Sequence, residues 1–171
     1  PTGIGLGTSS TAMVGLVNSI SKFIGHEYSA LEIAKISHHI EREIIAAPGG
    51  IQDQYIAALG GIQIIDVNTL GNVKCTPLFI EERNRLELEK RLLLIYTGFE
   101  RSSTKIIKSQ ETDLNKTFDV YDEIKEIGYK SVGYLKNGDI ESLGSAMDKH
   151  WSLKSTLSKQ ISTNNIDKMY K

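Results

Sequence analysis

The feature that most constrains this chain is its opening segment, in which glycine occupies every second position and hydroxyl residues follow. The segment reads Pro1-Thr2-Gly3-Ile4-Gly5-Leu6-Gly7-Thr8-Ser9-Ser10-Thr11 and runs directly into an apolar-periodic stretch, Ala12 to Ile24. Glycines let the backbone approach a ligand closely, and hydroxyl side chains can cap a helix whose free N–H groups point at the same place. The pattern therefore predicts an anion-binding loop at a helix N-terminus, with a nucleotide phosphate as its natural ligand.

This loop differs from two common phosphate-binding motifs. It is not a Walker A loop, because no Gly-Lys-Ser/Thr follows the glycines. The Rossmann spacing also fails, because Thr8 or Ser10 stands where the third glycine would be. A plain glycine-rich connector therefore remains open as the alternative to a phosphate site.

The composition sets limits on the partners of the chain. With 171 residues, 40% hydrophobic content and a formal charge of −1, it has no basic excess that would suggest nucleic acid. The apolar run Leu92 to Tyr96 is far shorter than the roughly 20 residues that cross a bilayer, and no signal-peptide pattern is seen. We therefore expect a cytoplasmic chain with neither a nucleic-acid nor a membrane partner. The single Cys75 rules out an internal disulfide and is interpreted as a buried structural thiol.

Hydrophobic spacing predicts three helices and a hairpin in the first half. The helices cover Ala12 to Ile24, a segment from the capping box of Ser29 and Glu32 through Ile44, and Ile51 to Leu59. Two strand-like runs, Ile62 to Val67 and Val73 to Leu78, form the hairpin. These elements place the glycine loop beside two helices.

The second half begins with an abrupt change of composition. The charged stretch Glu81 to Arg91 is interpreted as a solvated connector that contains the boundary between two domains, residues 1–85 and 86–171. Leu92 to Tyr96 reads as a buried strand. Helices are predicted after it, with Asp139 as the N-cap of the third: Ser103 to Gln110, Leu114 to Leu135, and Ile140 to Leu157.

Both ends of the chain suggest that it is a piece of a larger protein. It opens inside a functional loop, with no preceding strand to hold that loop. The last residues, Asn164 to Lys171, read as the opening turns of a helix. We therefore expect segments before and after this chain.

Two carboxylates, Glu41 and Asp53, suggest a reaction for the glycine loop. Phosphoryl transfer from ATP needs a phosphate cradle, oxygen ligands for Mg²⁺, and a carboxylate that accepts or orients the attacking hydroxyl. The loop, a hydroxyl at Thr8 or Ser9, Glu41 and Asp53 would supply all three. A solvated helix face is the alternative for Glu41, whereas Asp53 lies in a turn between elements, where site residues concentrate.

Further motifs make the chain resemble the GHMP small-molecule kinases. Pro1-x-Gly3-x-Gly5-Leu6-Gly7-Thr8-Ser9-Ser10 resembles the second signature of that superfamily. Glu41-Arg42-Glu43, followed by Pro48-Gly49-Gly50-Ile51-Gln52-Asp53-Gln54-Tyr55, resembles the segment with its magnesium carboxylate and catalytic aspartate. Tyr96-Thr97-Gly98-x-x-Arg101-Ser102 and His150-Trp151-x-Leu153-Lys154 are most similar to the D-glycero-D-manno-heptose 7-phosphate kinases within it.

The resemblance implies a role for each matching position, with ATP and Mg²⁺ as cofactors. Asp53 would act at the sugar hydroxyl, and Ser9 and Glu41 would hold Mg²⁺. The ATP phosphates would be bound by the loop residues Gly3, Gly5, Leu6, Gly7, Thr8, Ser9 and Ser10. The phosphorylated sugar would be bound by Gln52, Tyr55 and Arg101. Arg101 would bind its phosphate group, because a guanidinium binds phosphate at two points.

The resemblance also implies an α+β fold of two domains, an S5-like N-terminal domain and a ferredoxin-like C-terminal domain, incomplete in this chain. The first and third signatures of the superfamily do not appear in the sequence. The implied reaction is ATP-dependent phosphorylation of the anomeric hydroxyl of heptose 7-phosphate. A kinase of fucose, galactose or homoserine and a non-catalytic nucleotide or sugar sensor remain open, and a homodimer is one of the oligomeric states left open.

Overall fold

The computed structural model describes residues 5–98, 114–158 and 161–170. Among these residues, one compact unit extends to Leu78 and a second begins at Phe79. The domain division at residue 85 stays a prediction. Three features expected from the sequence lie outside the described residues: Gly3, Arg101 and the helix from Ser103 to Gln110.

The first unit contains three helices and a hairpin. Helix α1 spans Thr8–Phe23, α2 spans Ala30–His39 and continues into a π-helical turn at Ile40–Ile44, and α3 spans Gln52–Leu59. Strands β1 (Gln63–Val67) and β2 (Val73–Pro77) pair antiparallel, with Ile65 opposite Cys75. Helices α1, α2 and α3 pack against one another in pairs. The predicted capping box is confirmed, because Ser29 and Glu32 bond each other's backbone N–H groups.

Helix α1 begins earlier than the sequence indicates. Its N-cap is Gly7, whose φ of 63° places it in the left-handed region, and no side chain caps the helix. The expectation that a hydroxyl side chain caps this helix is therefore wrong. Glycine adopts this conformation without steric cost, so the helix starts directly at Thr8.

The interior between the three helices is unusually polar. Its apolar members include Val17, Ile33 and Ala34, whereas its buried polar side chains are Ser10, Ser21, Ser37, Glu41 and Gln54. The small serine side chains lie on α1 and α2. The larger polar groups, Glu41 and Gln54, come from the π-helical turn and from α3.

The apolar stripe predicted on α1 is present but mostly exposed. Val17 is buried, whereas Leu16 and Ile20 are about half exposed and Phe23 is 90% exposed. Helices α2 and α3 cover only the side of α1 that carries Val17 and the serines. The helical period was correct, but the burial of the whole stripe does not follow from it.

The second unit is helical in its described part. Helix α4 spans Glu82–Arg91, α5 spans Leu114–Asn137, α6 spans Ile140–Thr156, and α7 spans Asn164–Tyr170. Asp139 accepts a hydrogen bond from the Ser142 N–H at 3.0 Å, which confirms it as the N-cap of α6. Trp151 of α6 contacts Tyr170 of α7, with ring centroids 5.6 Å apart.

Two sequence expectations in this unit are wrong. The charged stretch after Glu81 is a helix rather than a connector, because Arg and Glu side chains three or four residues apart pair along it, as Arg91 and Glu87 do at 2.7 Å. The run Leu92 to Tyr96 forms no strand, and Leu93 and Leu94 are more than 80% exposed. A strand needs a neighbour to pair its backbone groups, and the only described sheet is the β1–β2 hairpin.

The fold is α+β in class, as the sequence indicated. Within the described ranges, none of the helices combines the length and hydropathy that crossing a bilayer requires.

Candidate functional site

The glycine loop leads to a helix N-terminus that carries no internal cap. Gly5 and Gly7 both have positive φ, 77° and 63°, and the first turn of α1 contains no acidic side chain. The N–H groups of the first turn have no intrahelical partner, and the helix dipole gives this end a partial positive charge. Thr8 and Ser9 are exposed here, whereas Ser10 is buried. The arrangement suits an anion such as a phosphate.

Asp53 lies directly against this loop. A methyl group added to Gly7 would be 3.3 Å from Cγ of Asp53 and 3.5 Å from its Oδ2. A side chain at position 7 would therefore displace the carboxylate by a few tenths of an ångström. Glycine at this position allows the predicted phosphate loop and the predicted catalytic carboxylate to approach each other closely.

The next residue, Gln54, points to another element. It lies in the first turn of α3 with Asp53, but successive helical side chains diverge by about 100°, so the two face different neighbours. Gln54 is fully buried, and its Nε2 donates to Oε2 of Glu41 at 2.6 Å. The first turn of α3 thus connects the glycine loop to the π-helical turn that carries Glu41.

Glu41 is a buried carboxylate with a single polar partner. It is 6% exposed, and the described residues offer it neither a cationic partner nor a second hydrogen bond to its side chain. A buried carboxylate is costly unless it is paired or coordinates a metal. Its surroundings therefore fit a cation, and a carboxylate oxygen is a ligand that Mg²⁺ prefers. The alternative of a solvated helix face does not describe Glu41, because the side chain is buried.

The segment between Glu41 and Asp53 is fixed by Arg42. Its Nε donates to the Gly50 carbonyl at 3.2 Å, and its Nη1 donates to the Ala47 carbonyl at 3.1 Å. The guanidinium covers Gly49, where an added methyl group would lie 2.5 Å from Cζ. Arg42 therefore holds the turn that leads into α3, and with it the first turn that carries Asp53.

Replacing Arg42 by methionine should lower the free energy of unfolding by about 1–2 kcal/mol, because two hydrogen bonds from a charged donor are lost. Urea denaturation measures the change. Arg83→Met is the matched control, since Arg83 is 79% exposed and pairs with Glu81 on the surface, so that its loss should stay within about 0.5 kcal/mol. Equal effects of the two replacements would contradict the role of Arg42.

The predicted substrate residues lie in different environments. Gln52 is exposed and folds back over Gly50, where an added methyl group would lie 2.7 Å from its Oε1. Tyr55 is 3% exposed, and burial, with a smaller effect from Cys75, raises the pKa of its hydroxyl. Tyr55 therefore packs in the interior, and its binding of substrate stays a prediction. Cys75 is only partly buried, and that burial raises the pKa of its thiol.

The adjacent histidines of α2 do not converge. His39 pairs with Glu43 at 2.8 Å on the exposed face, whereas burial, aided by Arg42, lowers the pKa of His38. In the described part of the chain, no three His, Cys, Asp or Glu side chains cluster as a metal site would need.

The structure brings Gly7, Asp53 and Glu41 into one region of the first unit through α3. Sequence reasoning missed two residues of this region, Gln54 and Arg42. Each is adjacent to a predicted site residue, and a polar residue beside a predicted catalytic group is the signal that could have found them. Gly3 and Arg101 lie outside the described residues.

Comparison with known proteins agrees with this geometry. Residues 1–61 match the family described as GHMP kinases N terminal domain. A D-glycero-alpha-D-manno-heptose 7-phosphate kinase of Campylobacter jejuni is 31% identical over 173 residues, which cover 100% of this chain and 51% of that protein. The resemblance inferred from the sequence motifs is confirmed.

Solved structures show the same relationship. A D-glycero-D-manno-heptose 1-phosphate kinase from Bacteroides thetaiotaomicron superposes with a TM-score of 0.77 at 25% identity, over 91% of this chain and 45% of that one. A putative sugar kinase from Campylobacter jejuni gives a TM-score of 0.72 at 28% identity, over 99% of this chain and 48% of that one. The chain therefore spans about half the length of the relatives that it matches.

Proposed function

Because the first 61 residues match GHMP kinase N-terminal domains, we propose that this protein is a sugar kinase. It transfers the γ-phosphoryl group of ATP to the anomeric hydroxyl of D-glycero-D-manno-heptose 7-phosphate and yields the 1,7-bisphosphate. The observation that carries the proposal is the contact of Asp53 with Gly7, which brings a carboxylate against an uncapped helix N-terminus. The names of the relatives support the choice of a heptose phosphate as substrate.

The glycine loop and the start of α1 bind the triphosphate. Their backbone N–H groups donate to phosphate oxygens, and the helix dipole favours the negative charge. Thr8 and Ser9 are exposed beside these groups and can add hydroxyl donors. Gly5 and Gly7 both have positive φ, a conformation that glycine adopts without steric cost, so the loop can take this shape.

Glu41 and Ser9 are the residues that would hold Mg²⁺. When bound, the cation neutralises charge that develops on the phosphate oxygens. Mg²⁺ retains several waters and needs only one or two protein carboxylates, so Glu41 with a single hydroxyl suffices. The hydrogen bond from Gln54 links this carboxylate to α3.

Asp53 receives or orients the hydroxyl hydrogen of the sugar. The hydroxyl oxygen forms a bond to the γ-phosphorus, the bond from that phosphorus to the bridging oxygen of ADP breaks, and the proton leaves toward the Asp53 carboxylate. Arg101, with Gln52 and Tyr55, is assigned to the sugar phosphate. Positioning and charge stabilisation provide most of the acceleration in such transfers.

A substrate panel tests the proposal. The complete protein, with ATP and Mg²⁺, is assayed for ADP formation with heptose 7-phosphate, fucose, galactose and homoserine, and ³¹P NMR identifies the product. We expect the highest kcat/KM with heptose 7-phosphate and a phosphate on the anomeric oxygen. A higher value with another acceptor would make the protein a different GHMP kinase. ATP binding without turnover of any acceptor would favour a nucleotide sensor and overturn the proposal.

A further inference from the structure

The interior of the first unit contains polar groups that its packing does not need. Ser37 and Gln54 are fully buried and Glu41 is 6% exposed. Oγ of Ser37 and Oε1 of Gln54 have no hydrogen-bond partner among the described residues. A buried acceptor without a partner destabilises a fold, so an apolar side chain at position 54 would suit packing alone better. The presence of glutamine here therefore calls for a different explanation.

The orientation of the Gln54 amide is determined by its partner. Nε2 lies 2.6 Å from Oε2 of Glu41, and an ionised carboxylate only accepts hydrogen bonds. The reverse orientation would place two oxygens at that distance, so the amide nitrogen must face Glu41 and the amide oxygen must face away. The side chain of Gln54 thus donates one well-defined hydrogen bond to one carboxylate oxygen.

We propose that Gln54 is the positioning residue for the metal carboxylate, holding Oε2 of Glu41 so that Oε1 is presented to the magnesium of the bound nucleotide. The proposal rests on the sugar kinase function proposed above. Outer-shell hydrogen bonds of this kind orient metal ligands, and their removal typically weakens metal binding by 10–100-fold. Because Asp53 precedes Gln54, the same turn of α3 sets the positions of the carboxylate that holds the cation and of the one at the sugar hydroxyl.

Gln54→Met tests this role, because methionine fills a similar volume without a donor. Gln63→Met is the matched control. Gln63 also has a buried Oε1 without a partner, and its Nε2 donates to the backbone carbonyl of Gly60 at 2.9 Å, not to a carboxylate. Both replacements thus remove one amide hydrogen bond and one unpartnered oxygen.

The measurement is Mn²⁺ binding to the complete protein with a non-hydrolysable ATP analogue, followed by electron paramagnetic resonance. Circular dichroism and a thermal melt establish that each variant is folded. We expect Gln54→Met to raise the Mn²⁺ dissociation constant at least tenfold and Gln63→Met to leave it within twofold. Affinity for the nucleotide without metal should not change in either variant.

The outcomes separate this proposal from the proposed function. If the unmodified protein binds Mn²⁺ with the analogue and Gln54→Met binds it equally well, or if both variants weaken it alike, Gln54 has no positioning role. If the unmodified protein binds no metal–nucleotide complex, the kinase proposal itself fails. Should Gln54→Met not fold, Gln54→Asn serves instead, since its shorter amide cannot reach Glu41 and should raise the dissociation constant similarly.

Discussion

Replacing Asp53 by asparagine should lower kcat for heptose 7-phosphate by about 10²–10⁴-fold, the usual contribution of a positioned acid–base group. Asparagine has nearly the same shape, so the contact with Gly7 is retained while the proton acceptor is lost. The affinity for ATP should stay within about threefold, because the loop N–H groups are untouched. Steady-state kinetics with a coupled ADP assay, together with calorimetric titration of ATP, measures both quantities.

A second aspartate controls for the general loss of negative charge. Asp122 is exposed on α5 in the second unit, and Asp122→Asn should leave kcat within about twofold. If Asp53→Asn retains full activity, Asp53 neither accepts nor orients the hydroxyl hydrogen. A loss of ATP binding equal to the loss of kcat would place Asp53 in the nucleotide site instead.

Replacing Gly7 by alanine should reduce kcat/KM by roughly 10-fold, a part of the ~10²-fold loss that a misplacement of about 1 Å produces. The added methyl group would lie 3.3 Å from Cγ of Asp53 and would press on the carboxylate. Alanine at φ 63° also adds about 1–2 kcal/mol of backbone strain. Kinetics and urea denaturation of the same variant separate the loss of activity from the loss of stability.

Gly5→Ala separates strain from contact. Gly5 has φ 77°, but nothing described lies within 4 Å of an added methyl group. The two variants should therefore lose similar stability, whereas Gly5→Ala should retain most of its kcat. If both lose kcat equally, the approach of Asp53 to position 7 has no catalytic importance.

Local signals in the sequence predicted most of the first unit. The capping box at Ser29 and the hairpin depend on interactions among near neighbours in the chain, and the structure contains both. The predicted start of α1 was less accurate. Side-chain capping rules favour hydroxyl residues, whereas the left-handed Gly7 ends the loop by backbone conformation alone.

Burial was harder to predict than helix or strand type. Phe23 and Leu93 belong to apolar patterns that usually indicate a core, yet both are at least 85% exposed. An apolar pattern indicates which face of a helix or strand can be buried. Whether that face is buried depends on which other elements pack against it. The charged segment of α4 illustrates the converse, since pairs of Arg and Glu stabilise a helix that has little apolar character.

The glycine loop and the two carboxylates of the candidate site were predicted from the sequence, whereas the residues that hold these groups in place were not. Glu41 and Asp53 were chosen for their type and their place in a familiar motif, and the structure adds a reason for each in burial and contact. Gln54 and Arg42 act through hydrogen bonds to other site elements. Such bonds require the three-dimensional path of the chain, which neither spacing nor composition gives.

The bond between Gln54 and Glu41 joins residues only 13 positions apart, and Arg42 bridges the same short stretch through the Ala47 carbonyl. Closing so small a loop costs little chain entropy, and local contacts form early in folding. The carboxylates of Glu41 and Asp53 would therefore reach their relative positions before more distant segments of the chain have folded. Substitutions elsewhere in the protein should then leave the relative placement of these two carboxylates unchanged.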